Sequence, residues 1–146
     1  MEFATVLPFL FLLILSILDF GLYFFAQHTL QFATREGVRV ALVGRTLADA
    51  NGQRMTRAAS IVQTISDHAA IAMDPSKIEI SIFPINPDFT DPTGWQASQD
   101  AGGPGNYMRV RTRYDYPFIT PFIRVLMSDG KLAVRAQATY RNELFN

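Results

Sequence analysis

The sequence predicts an α+β fold in which a long N-terminal helix and a second helix pack on a three-stranded antiparallel sheet. Apolar residues recur at spacings of three and four through the first half of the chain, and at every second residue through three later segments. Cysteine is absent, which removes disulfides, thiolate metal sites and cysteine nucleophiles. A fold of this kind must then be held by apolar burial, and hydrophobic residues make up 49% of the 146-residue chain.

The first element begins as a run of membrane length. Residues 3–26, FATVLPFLFLLILSILDFGLYFFA, carry one charge, Asp19, and follow Glu2. As a helix this run reaches about 36 Å, enough to cross a hydrocarbon core of about 30 Å. A secretory signal peptide would have a basic start and a shorter apolar core. Residues 1–26 therefore read as a hydrophobic transmembrane or assembly helix, and 27–146 as a soluble domain. Pro8 removes a backbone donor within the run and is expected to kink or loosen it, and Gly21 and Gly37 add further soft points to the helix. Such breaks suit a helix that packs against others.

Beyond Ala26 the helix becomes one-sided. Leu30, Ala33, Gly37, Val40 and Ala41 share a face, and Gly44 with TLADANGQ offers a stop. Met55, Ala58, Val62, Ile65, Ala69 and Ala72 define a second helix over about 53–73, ended by Asp74-Pro75. Strands follow at 77–83, 107–116 and 131–141, each with a wet face and a face under the helices. Pro121 opens a short helix over PFIRVLM, and Asp129-Gly130 turns the chain into the last strand.

The segment 84–106 has no apolar period and carries four prolines, four glycines and the only tryptophan. Long aperiodic loops in compact domains are usually functional or disordered. Trp95 is the candidate partner-contact residue, because large aromatics are enriched at binding hot spots. It could equally cover the domain's own core.

Chemistry for catalysis is missing from the pattern. His28 and His68 stand outside any hydrolase or nucleotide motif, and each reads as a surface or interfacial histidine. Asp88, Asp91 and Asp100 lack the spacing of a calcium loop, so they read as a solvated acidic stretch. A membrane-tethered hydrolase would have to use Asp88, Asp91 or His68, and no base and nucleophile are paired in sequence. The 13 basic and 13 acidic residues balance, which gives no electrostatic footprint for nucleic acid. Neither an enzyme nor a cofactor is expected.

Acids in an apolar run need partners. An Asp at a helix centre costs about 2.5–3.5 kcal/mol on insertion scales. Glu2 either lies among headgroups or pairs with a positive group of a neighbouring chain, such as an N-terminal amine. Asp19 lies in the last third of the run, where the simpler placement is the far interface. Arg35, Arg39 and Arg45 follow the run and no Lys or Arg precedes it, so the positive-inside rule taken literally puts the domain in the cytoplasm. Removal of a basic leader would lift that conflict.

Glu2-Phe3-Ala4-Thr5-Val6-Leu7-Pro8, then Asp19-Phe20-Gly21 and Ala26-Gln27, resemble the TadE-like proteins, pilin-related components of the tight-adherence pilus system. Ala33-Thr34-Arg35-Glu36-Gly37-Val38-Arg39 is similar to that family's Arg-Glu-Gly and Arg pattern, and Arg141-Asn142-Glu143 also resembles it. The resemblance implies a pilin-like fold and a minor pilin or pseudopilin that assembles through its hydrophobic helix, with Glu2, Phe3, Pro8, Asp19 and Gly21 as assembly residues. Its partners would be other pilin-like subunits, the assembly machinery and inner-membrane lipid, in a homo- or hetero-oligomer. The protein would cross the bacterial inner membrane once, with its domain outside the cytoplasm, and would be extracellular in a pilus. The family places its acid at the fifth mature position behind a cleaved glycine. Here Met1 alone precedes Glu2, so cleavage is assigned to no residue. The alternatives are the main repeating pilin of a filament, or a single-pass protein that binds a ligand through 84–106 outside any filament.

Overall fold

The protein is described by a computed structural model over residues 2–144, with side chains described from Val6 onward except at Leu126 and Ser128. Its architecture is the expected one. Helix α1 (Glu2–Leu42) and α2 (Arg57–Ala69) lie on one face of a sheet of β1 (Glu79–Pro84), β2 (Tyr107–Pro117) and β3 (Lys131–Arg141), with a short α3 (Pro121–Leu126) between β2 and β3. The strands follow in the order β1-β2-β3 and both pairings are antiparallel.

Register follows from the alternation. Ile82 stands opposite Val110 and Val110 opposite Ala138, while Thr112 faces Ile80 and Ala136. All of these point toward the helices, where Leu30, Ile61, Ile65, Ile82, Met108, Val110 and Val134 are fully buried. Each fully buried side chain of this size contributes about 1.5–3 kcal/mol relative to exposure. A polar seam crosses the same core. The Thr34 hydroxyl bonds the Leu30 carbonyl at 2.7 Å and meets the Thr112 hydroxyl at 2.8 Å, so the polar atoms that join α1 to β2 are paired.

Gly37 sets the distance between the helices. A Cβ placed there would lie 2.5 Å from Cγ1 and 2.9 Å from Cδ1 of the buried Ile65. From sequence alone Gly37 reads as a soft point on the α1 face; in the structure the Ile65 side chain of α2 occupies the space that a side chain there would need.

Some boundaries differ from those the period suggests. α2 starts at Arg57 rather than near Gln53, because Thr56 caps it: its side chain accepts from the Ala59 N–H at 3.1 Å. Met55, expected on the helix face, precedes that cap and donates its N–H to the Leu47 carbonyl instead. The Asp49 carboxyl accepts from the N–H groups of Asn51 and Gln53, which fixes the turn between α1 and α2. At the far end the helix stops at Ala69 with Ala70 as its cap, and Asp74 opens a separate turn at Pro75–Lys77. α1 runs through Pro8 as one helix without a break. Asp129 and Gly130 both have positive φ, 58° and 66°, and form the turn into β3.

Gly37→Ala should lower the melting temperature. Overpacking against Ile65 costs about 1–3 kcal/mol, more than the ~1 kcal/mol that alanine gains over glycine inside a helix. Gly21→Ala, where a Cβ meets nothing within 4 Å, should leave it unchanged or higher. A melt of both variants in detergent checks the contrast.

Tyr140 gives a pH dependence. It is buried and its hydroxyl has no hydrogen-bond partner among the described residues; burial pushes its phenol from 10.0 up to about 12, with Arg57 pulling weakly the other way. The folded state therefore holds the proton more tightly than the unfolded state. Stability tied to this group is full below pH 10 and is lost as the pH rises toward 12. Denaturation curves across that range should show Tyr140→Phe losing less stability than the parent.

Candidate assembly surface

The N-terminal half of α1 projects beyond the domain. From Val6 to Phe25 nearly every large apolar side chain is exposed, Phe9 by 71% and Ile17 by 64%. The most apolar 18-residue window has a mean hydropathy of 2.3 and only 11% of it is buried, so this is not the hidden core helix of a soluble protein. By length and composition α1 can cross a membrane. The change is complete by Ala26, and from Leu30 through Ala41 one face is covered by α2 and the sheet.

Asp19 interrupts the exposed run. Only 3% of it is exposed, and its Oδ2 accepts the backbone N–H groups of Ile119 at 2.9 Å and Thr120 at 2.8 Å. Those donors belong to the residues that enter α3, where the first turn of a helix leaves N–H groups unpaired. Around this contact Phe118 packs edge-on to Phe20 and stacks on Tyr23, and Tyr116 closes on both Tyr23 and Phe118. Burial, with Asp19 nearby as the lesser cause, raises the Tyr116 phenol above its ordinary range. Sequence reasoning placed Asp19 at an interface; the structure gives it a partner 100 residues away in its own chain.

The other assembly candidates are separate from Asp19. Glu2 and Phe3 open α1, and their side chains lie outside the described residues. Pro8 is exposed within the apolar run. Gly21 is exposed and nothing in the chain approaches it, so no internal packing demands a glycine there.

Trp95 lies on the opposite side of the sheet. Although aperiodic, 84–106 folds back over the outer face, with a short 3₁₀ turn at Trp95–Ala97. The indole packs on Phe83 with centroids 5.1 Å apart, and the Arg111 guanidinium sits 4.5 Å over its ring. Phe83 is only 1% exposed as a result. The loop also caps the β1 edge: the Ile82 N–H donates to the Ser98 carbonyl at 2.8 Å and the Asp100 N–H to the Ile82 carbonyl at 2.9 Å. Asp91 bridges Arg109 and Arg111 from above. Beside Trp95 a cleft of about 550 Å³ runs over the sheet, lined by Glu79, Arg111, Arg113, Arg135 and Gln137 among others.

The acidic loop residues are engaged locally. Asp88 accepts from the Thr90 hydroxyl and N–H, which holds its carboxyl below the usual range, and Asp100 accepts from the Gly102 N–H. His68 bonds the Thr64 carbonyl at 2.8 Å and meets Phe32 edge-on, while His28 is exposed. Among the described residues no cluster of His, Asp or Glu could hold a metal.

Sequence reasoning missed a clasp at the other end of α1. The Asn142 amide donates to the carbonyls of Ala101 and Gly103 at 3.0 and 2.8 Å and accepts from Arg57 at 3.0 Å. Arg57 also donates to the carbonyls of Gly102 and of Ala41, in the last turn of α1. Only the familiar look of Arg141-Asn142-Glu143 hinted at this, since nothing in a single sequence pairs position 142 with 57.

With this geometry in place, the comparisons bear on α1. Residues 1–39 match the family model for TadE-like protein. The match takes in Glu2, Asp19, Gly21 and Arg35 through Arg39, and all of the matched residues from Glu2 onward lie on α1. Comparison with curated proteins and with solved structures gives no match.

Trp95→Ala should lower the unfolding free energy by about 2 kcal/mol, below the 3–5 kcal/mol of a fully buried aromatic because the indole is half-exposed. Chemical denaturation measures it. An unchanged midpoint would remove Trp95 from the packing of the outer face.

Proposed function

We propose that the protein is a structural subunit, a minor pilin or pseudopilin, of a tight-adherence pilus, and that α1 carries its assembly. The TadE-like match points to a pilin-like component of that system. The observation that supports the reading most directly is the exposed apolar half of α1, which the domain leaves uncovered. Before assembly that half lies in the bacterial inner membrane, where lipid satisfies it, with the domain outside the cytoplasm. In a filament, neighbouring helices replace lipid, and contacts rest on close packing rather than on the hydrophobic effect. An exposed Gly21 suits that exchange, since a small residue lets a second helix approach. The work is structural, and no catalytic step is assigned to it.

Glu2 is the acid that would pair with the amine of an adjacent subunit. Removing it leaves the partner's charge alone in an apolar bundle, which is costly. Trp95 and the cleft beside it are the proposed site for contacts with other subunits. Glu2→Ala should accumulate in the membrane, folded, and be depleted from sheared surface filaments in cells that make the pilus. Normal recovery of the variant in filaments would overturn the pairing role, and absence of the parent protein from filaments would overturn the subunit reading.

A further inference from the structure

Ile119, just before α3, and Phe122 and Val125 within it recur at every third residue, and they are 72%, 57% and 86% exposed. On the other side of the same helix Ile123 is 4% exposed and holds α3 to the domain. An apolar stripe of this kind on a water-facing domain calls for a partner.

Its position identifies the partner. Asp19 fixes the entry to α3 by accepting from Ile119 and Thr120, and Phe118 is packed on Phe20 and Tyr23. Phe122 shares an apolar groove with Ser16, Ile17 and Phe20 of α1. The stripe is therefore continuous with the exposed surface that α1 presents toward its N-terminus, the surface read above as lipid-facing. Arg124 and Lys131 are exposed close by, where long cationic side chains can reach anionic headgroups while their stems stay apolar.

We propose that α3 docks in the headgroup–acyl boundary of the bilayer that α1 crosses, with Ile119, Phe122 and Val125 inserted, and so sets the depth at which the domain sits. The proposal rests on the reading of α1 as a membrane helix. A six-residue helix would bind a membrane weakly by itself. Here α1 holds it at the surface, so its insertion is effectively intramolecular. The boundary then falls at the turn that carries Asp19. There the two backbone donors from the residues that enter α3 give one oxygen of the side chain its partners where water is scarce.

The chain has no cysteine, so single-cysteine variants of the full protein can each carry one environment-sensitive fluorophore. The sites are Phe122→Cys and Val125→Cys on the stripe, Leu13→Cys within the apolar half of α1, and Ala50→Cys in the exposed turn after α1. The protein is reconstituted in vesicles of phosphatidylethanolamine and phosphatidylglycerol that contain nitroxide-labelled lipids. Labels at 122 and 125 should lose most of their emission to a nitroxide near the headgroup and less to one deep in the chain, the label at 13 should respond to the deep one, and the label at 50 to neither. If 122 and 125 behave like 50 while 13 is quenched, α3 lies in water and the inference fails with the membrane reading intact. If 13 is not quenched either, the membrane reading itself fails. Blue-shifted, unquenched emission at 122 that grows with protein concentration would show a second copy of the chain on the stripe, which also overturns the proposal.

Discussion

One uninterrupted helix has to satisfy two surroundings, and the rest of the structure follows from that. In its first half α1 is apolar on every side and uncovered; in its second half one face forms the floor of a core and the other faces water. The change occurs within about two turns, between Asp19 and Ala26. A free carboxyl group in the apolar half would be costly, and the chain offsets part of that cost by bringing two N–H groups from the residues before α3 to Oδ2, while Oδ1 is buried without a partner among the described residues. The domain is thus attached to α1 by a polar contact and an aromatic cluster below the core, as well as by the core itself. Residue 26 is for that reason not a clean border: Phe20 and Tyr23 already carry domain contacts.

Above the border the packing is governed by how closely α1 and α2 approach. Gly37 leaves room for Ile65, and Thr34 meets Thr112 in the same layer, so one turn of α1 touches α2 with carbon and β2 with oxygen. At the top, Arg57 and Asn142 tie the end of α1, the loop at 101–103 and the last residues of the chain into one set of hydrogen bonds. These bonds join three segments that are far apart in sequence, and each satisfies carbonyls that would otherwise be partly buried without donors.

Periodicity made most of this fold legible. The alternation from Met108 to Tyr116 and from Leu132 to Tyr140 names the inner face of the sheet residue by residue, because burial of one face imposes a period of two. Ends of elements were less legible: Met55 fits the helical period, yet the Thr56 cap excludes it. The long loop was misleading in another way. Its lack of period correctly denies it a strand or long helix, but period says nothing about a segment that packs through one indole, one carboxylate and two backbone bonds to an edge. Asp19 shows the same limit. A sequence reveals that an acid in an apolar run needs a partner, and the identity of that partner is a fact of tertiary structure.

The backbone contacts at the β1 edge also bear on how copies of this chain can meet. A three-stranded sheet normally offers two open margins to which a foreign strand could add. Here Ser98 and Asp100 occupy the outward groups of Ile82 on one margin, and on the other the Gln27 side chain already donates to the Arg135 carbonyl at 2.9 Å. Extending the sheet from molecule to molecule would require breaking bonds already made at both margins. Strand addition is therefore disfavoured at Ile82 and at Arg135, where a foreign strand would meet backbone groups that this chain already pairs with its own loop and its own long helix.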